Sequence, residues 1–251
     1  MVHWSNKGTS KYDYDVSPKR VPDSQTLLID ADDTLWENNI YFERAIVDFI
    51  SFLNHQEHSP AEVRTILNDV ERDAIASHGY GLRSFTHSLV TTFERLSVEP
   101  LTPALHETIH GFARTIAEQP VQLLPQVEDT LRYLSQRHEL VLVTKGDYAE
   151  QSGKVKRSGL KKHFSAVEIV PEKTPQHYRD LVEKHTFPID RTWMIGNSPK
   201  SDINPALAAG INAVFVPHND TWILEHEELA SAPPNLKLLV LNSFAEMSQH
   251  F

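Results

Sequence analysis

Apolar positions along the chain follow two rhythms. From Ile40 to about Gln119 they recur every three to four residues, the spacing of an amphipathic helix. In "IYFERAIVDFISFL" the residues Phe42, Ile46, Phe49, Ile50 and Leu53 share one stripe. "SPAEVRTILNDVERDAI" opens with Ser59 as an N-cap, Pro60 at the first helical position and Glu62 three residues after the cap. "LRSFTHSLVTTFERL" and "PALHETIHGFARTIAEQ" add further amphipathic stretches, and no strand-like run interrupts them. The pattern predicts an all-helical insertion spanning residues 38–120.

On either side the rhythm changes. Short continuous apolar runs alternate with helix-period segments: strand "TLLID" at 26–30, helix 126–137, strand "LVLVT" at 140–144, and helix 148–158 closed by Gly159. Strand "AVEIV" at 166–170, helix 175–185, strand "TWMIGN" at 192–197, helix 202–209 closed by Gly210 and strand "NAVFVP" at 212–217 follow. "LKLLV" at 236–240 reads as an added edge strand before a short terminal helix. Uninterrupted apolar strands belong to a parallel sheet covered on both faces, so residues 25–37 and 121–251 are expected to form a doubly wound, Rossmann-like α/β core. Residues 1–24 mix Gly, Pro, Ser and charge without a period and read as an N-terminal tail.

Composition narrows the chemistry. The 251 residues carry a net charge of -10, which argues against nucleic acid or anionic membrane as a partner. No apolar run is long enough to span a bilayer, and no signal-peptide core stands at the N-terminus; a cytoplasmic location is the expectation. There is no cysteine, so thiolate catalysis, disulfides and Cys-zinc sites are excluded. The 14 histidines show no metal-binding spacing and read as surface and packing residues.

Ligands of open parallel sheets bind beyond the carboxyl ends of the strands. There the first strand delivers Asp30 and Asp32, the second Thr144, Lys145 and Gly146. The third leads to Glu172 and Lys173, and the fourth to Gly196, Asn197 and Ser198 ahead of Ser201 and Asp202. Carboxylates, a hydroxyl and lysines on one rim are the parts of a metal-assisted reaction at phosphate. Like charges so close together call for a bound cation.

Four stretches, "DADDT", "VTKGD", "EKTP" and "GNSPKSD", resemble a phosphatase of the haloacid dehalogenase-like hydrolase superfamily with a helical cap. The resemblance covers residues 26 to about 217. It implies a Mg²⁺-dependent phosphatase for a small phosphomonoester. Asp30 would be the nucleophile that becomes phosphoaspartate, and Asp32 the acid/base. Thr144, Lys145 and Lys173 would bind phosphate, with Lys145, Lys154 or Lys156 as substitutes for Lys173. Asp30, the Asp32 main-chain carbonyl and Asp202 would hold the metal, with Asn197 acting through a water. Asn197 stands where the pattern usually has an acid. Asp33 is expected outside this shell, pointing to solvent. A phosphomutase, a phosphotransferase, a dehalogenase and a catalytically weak binding module share the fold and stay open. So do phosphoglycolate, a sugar phosphate and a nucleotide monophosphate as substrates. Substrate selection is assigned to the cap turn "SHGYGLRS", through His78, Tyr80 and Arg83.

Overall fold

The computed structural model describes residues 23–54 and 57–251; the expected tail lies almost wholly outside them. The chain enters a sheet at β1 (Thr26–Ile29) and leaves it for four helices, α1 (Asn39–Leu53), α2 (Pro60–His78), α3 (Leu82–Leu96) and α4 (Pro103–Ala117). It returns through α5 (Val127–Ser135), β2 (Glu139–Lys145), α6 (Tyr148–Ser158), β3 (Ala166–Val170), α7 (Pro175–His185) and β4 (Thr192–Gly196). A π-helical turn at Pro199–Ile203 precedes α8 (Asn204–Ala209), β5 (Asn212–Phe215), β6 (Leu238–Val240) and α9 (Met247–His250).

The six strands pair in the order β3-β2-β1-β4-β5-β6, every pair parallel. Alternation along β1 divides the core in two. Leu27 and Ile29 pack with Leu131, Val155 and Met247 from α5, α6 and α9. Leu28 faces the other way, toward Tyr178 and Leu181 of α7 and Ala206 of α8. β2 lies on one side of β1 and β4 on the other. This is the switch point at which such sheets open a crevice beyond their carboxyl ends.

The helical cap has its own core: Ile46 and Phe49 of α1, Leu67 of α2, Phe85, Leu89 and Phe93 of α3, and Ile109 of α4. Its second helix begins with the expected capping box. Ser59 N–H donates to Glu62 Oε2 at 2.8 Å, the Ser59 side chain accepts from Glu62 N–H, and Pro60 occupies the first turn. The helix expected at 202–209 is split, with the π-helical turn carrying Ser201 and Asp202 and the α-helix starting only at Asn204. In that wider turn the Ile203 N–H reaches back five residues to the Ser198 carbonyl at 3.1 Å, and the Asp202 carboxylate folds back over β4.

Candidate active site

At the switch point the carboxyl ends of β1, β2 and β4 open into a cavity of about 160 Å³, closed from above by α1, α2 and α3. Asp30 follows β1 directly, its N–H still in register with the Ile195 carbonyl at 2.9 Å. It is buried. One carboxylate oxygen accepts from Thr34 Oγ at 2.8 Å, and the other receives Lys173 Nζ. The same ammonium donates to Asp202 Oδ1 at 2.7 Å, so one lysine bridges two buried carboxylates. Burial pushes the Asp30 carboxyl up to about 7; Lys173 opposes this and Asp202 adds to it. For Lys173, burial works against the charge, but Asp202 and Asp30 outweigh it and the ammonium is held more firmly than usual.

Asp32 has a different setting two residues on. Trp36 Nε1 donates to Oδ1 at 2.7 Å, Gln151 Nε2 to Oδ2 at 2.9 Å, and Lys154 Nζ to both oxygens at 3.0 and 2.9 Å. Burial disfavours its charge, yet Lys154 and these hydrogen bonds hold the carboxyl below its ordinary value. Neighbouring carboxyls on one loop are therefore pushed in opposite directions, the arrangement that separates roles in acid–base chemistry. Lys154 also reaches Asn38 Oδ1 at 2.7 Å, tying Asp32 to the segment that leads into the cap.

Asp33 corrects its expectation. It does not point to solvent but is buried, with φ 59°, and accepts from the N–H groups of Asn38 and Asn39 at 2.8 and 3.1 Å. It serves the start of α1, where free N–H groups draw a carboxylate. Burial, reinforced by Asp32, lifts its carboxyl to about 8.

From β4 come Gly196 and Asn197. A Cβ at Gly196 would lie 2.1 Å from Asp202 Oδ2, so only glycine lets the Asp202 carboxylate fold across the strand end. Its Oδ2 accepts from Ser198 N–H at 3.0 Å. Asn197 Oδ1 accepts from Thr34 Oγ at 3.2 Å and Nδ2 donates to Thr221 at 2.9 Å, which fixes the amide with its oxygen toward the Asp30 side. Thr144 is buried and lines the cavity.

Lys145, expected at the phosphate, lines the cavity too. Its ammonium donates to Ser201 Oγ at 2.7 Å and Glu225 Oε1 at 2.6 Å, and lies 4.2 Å from the centre of the Tyr80 ring. Its charge is already matched by a buried acid. Glu225 also takes Ser198 Oγ at 2.7 Å and Ser201 Oγ, organising the β4 loop from a segment after β5. Lys156 is exposed and takes no part.

The cap turn between α2 and α3 splits the residues assigned to it. Tyr80 enters the cavity and its hydroxyl donates to Glu172 Oε2 at 2.7 Å. At Gly81, with φ 122°, the backbone brings Leu82 N–H to the Glu150 carboxylate at 3.0 Å. His78 and Arg83 do not reach the site. His78 is exposed against the His87 ring, and Arg83 borders a separate hollow with His87, His106 and His110. A tight turn projects its central residue inward and its flanks outward, which sequence adjacency does not reveal.

A hard dication fits the Asp30–Asp202 pair. Two buried carboxylates share one ammonium, which leaves room for further positive charge between them. The donors are oxygens, which suit Mg²⁺. No backbone N–H among the described residues donates to the Asp32 carbonyl, so that oxygen is free to join them. Among the described residues, three His or carboxylate ligand atoms come within 4.8 Å of one another only at Asp33, Glu37 and His218, outside the expected set.

The sequence model of the haloacid dehalogenase-like hydrolases matches residues 25–210. The chain belongs to this family. As a haloacid dehalogenase-like hydrolase it is an enzyme, and its architecture recurs in solved structures. A haloacid dehalogenase-like family hydrolase of Xanthomonas campestris is 28% identical, with TM-score 0.74 over 90% of this chain and 93% of that one. A HAD-hydrolase of Bacillus subtilis, solved with bound magnesium, is 19% identical at TM-score 0.61, covering 90% and 97%. The L-2-haloacid dehalogenase of Xanthobacter autotrophicus is 13% identical at TM-score 0.61, covering 90% and 97%. No curated protein sequence matches the chain significantly. The fold is thus shared by proteins of differing chemistry, and the reaction must be argued from the site.

Proposed function

We propose that this hydrolase is a Mg²⁺-dependent phosphatase that cleaves a small phosphomonoester through a phosphorylated Asp30. The observation that carries the reading is Asp32. Beside the nucleophile, a second carboxyl on its own network of Lys154, Gln151 and Trp36 has no use in carbon–halogen displacement, where halide leaves without a proton. An alkoxide leaving from phosphorus does need one.

In this reading Asp30 attacks phosphorus in line, the bond to the leaving oxygen breaks, and Asp32 supplies the proton that oxygen takes up. Asp32 is charged in the free chain because of Lys154, and a phosphate dianion entering beside it raises its proton affinity. After the alcohol departs, Asp32 takes a proton from water as it attacks the phosphoaspartate, which releases phosphate and restores Asp30. Lys173 holds Asp30 in position and spreads positive charge toward the phosphoryl oxygens. Thr144 offers them a hydroxyl, and Lys145 positions the β4 loop. Asp30, Asp202 and the Asp32 carbonyl would hold Mg²⁺, with Asn197 orienting a ligand water. Bound there, the ion supplies charge neutralisation between the phosphate and the Asp30 carboxylate.

The test is hydrolysis of an aryl phosphate with Mg²⁺, with EDTA, and in Asp202→Ala. Turnover is expected only with metal, and the variant should lose at least about a hundredfold, as for removal of a major transition-state charge contact. Release of halide from a 2-haloacid, with no attack on the aryl phosphate, would overturn the reading in favour of dehalogenation.

A further inference from the structure

The cap wall of the cavity holds a carboxyl group with no task in the chemistry above. Glu71 of α2 lines the cavity, as do Ser84 and Ser88 of α3 and the apolar Phe42, Ile75 and Phe85. Glu71 and Ser84 are only 5% and 4% exposed, and neither Glu71 Oε2 nor Ser84 Oγ has a hydrogen-bond partner. The nearby guanidinium does not satisfy the carboxyl. Arg64 gives both terminal nitrogens to Glu43 at 2.6 and 2.7 Å and its Nε to Asn68 at 2.8 Å. Ser88 is occupied as well, donating to the Ser84 carbonyl at 3.0 Å.

A buried polar atom without a partner costs stability, and a charged one costs more than a neutral one. Two such groups on one cavity wall, on helices packed against each other, mark a place where something else supplies the hydrogen bonds. Burial also lifts the Glu71 carboxyl to about 7, with Arg64 pulling down and Glu43 pushing up. The phosphate ligands Thr144 and Lys173 come from the core, so what meets the cap is the leaving group. We propose that Glu71 and Ser84 recognise the far end of the leaving alcohol, which carries a hydrogen-bond donor, a hydroxyl or an ammonium group, and not a carboxylate.

The charge of the cavity points the same way. Its lining includes seven Asp or Glu residues against three lysines, and each lysine is already paired with at least one of those acids. An anionic leaving group would find no unpaired lysine among the lining residues to meet it. A polyol or amino-alcohol phosphate would instead complete Glu71 and Ser84. The inference deepens the phosphatase reading and rests on it.

The test uses the full chain with Mg²⁺ and alkyl phosphates whose two- to five-carbon leaving groups end in methyl, hydroxyl, ammonium or carboxylate, beside an aryl phosphate. The hydroxyl or ammonium ester should exceed the methyl ester in kcat/KM by about tenfold or more, and the carboxylate ester should be poorest. The hydroxyl and ammonium arms separate a polyol from an amino alcohol. In Glu71→Leu the donor-to-methyl ratio should collapse, while Tm stays level or rises because an unpartnered carboxyl is gone. Should that variant not fold, Glu71→Ala carries the test, with the same collapse of the donor-to-methyl ratio expected. Activity on the aryl phosphate without a donor preference, with a preference for carboxylate, or with a ratio indifferent to Glu71, overturns this inference alone. If wild type hydrolyses none of the esters, the phosphatase reading falls and this inference with it.

Discussion

Asp30 and Asp32 sit two residues apart at the end of a strand, yet one carboxyl is raised and the other lowered. Burial raises both; at Asp30 it prevails, with Asp202 adding to it, whereas at Asp32 Lys154 and the hydrogen bonds from Gln151 and Trp36 overcome it. Lys173 divides its charge between Asp30 and Asp202, while Lys154 gives both its carboxylate contacts to Asp32. Lys154→Met keeps the aliphatic stem and removes the ammonium. Asp32 should then hold its proton to higher pH, and the limb of the kcat/KM profile that reports Asp32 should move up by about one unit or more. An unmoved limb would mean that Asp32 does not titrate in the reaction. Asp30, Asp32, Lys173 and Asp202 were legible in the sequence because each follows a strand of one sheet, and topology gathers strand ends. Glu225 was not, since nothing in "LEHEELAS" distinguishes it from Glu227 or Glu228; only the fold carries it to Lys145 and Ser201. Glu71 does carry a signal in the sequence. It falls on the stripe of Val63, Leu67, Val70 and Ala74, and an acid on an apolar stripe has to be explained.

Helices and strands were easier to read than their ends. α6, β3 and α7 have the expected limits, because Asp147 and Thr174 cap the two helices with their side chains and Gly159 closes the first. The turn at Pro199–Ile203 was not legible as a π-helix: Ser198 and Pro199 look like an ordinary helix start, and the widening depends on Asp202 folding against Gly196. The α2–α3 turn was recognised as the cap's tip, but periodicity does not say which of its side chains faces inward. In the fold, Tyr80 joins the cap to the core through Glu172, Lys145 and an edge-on contact with Trp222 at 6.3 Å. Tyr80→Phe keeps the ring and removes one hydrogen bond to a partly exposed acid. Such a bond is worth about 1 kcal/mol, so KM should rise roughly fivefold, with faster amide exchange in the turn. If KM and exchange are both unchanged, the hydroxyl does not hold the cap down.

Across the whole molecule, each half does what its pattern permits. The sheet brings residues distant in sequence to one rim, and the four-helix cap, unable to bury its underside alone, lies over that rim and closes the cavity. No helix among the described residues is long and apolar enough to cross a membrane. In the proposed reaction the core handles the phosphate and the cap the alcohol. The central claim is that phosphate passes through Asp30. It is tested most directly by quenching the enzyme in acid during turnover of an aryl phosphate, reducing with borohydride and mapping the peptides by mass. An acyl phosphate at position 30 is reduced to homoserine, and the account predicts that change at Asp30 alone, dependent on substrate and Mg²⁺. Sustained turnover with Asp30 unmodified under the same quench, or with the modification on another carboxylate, would contradict it.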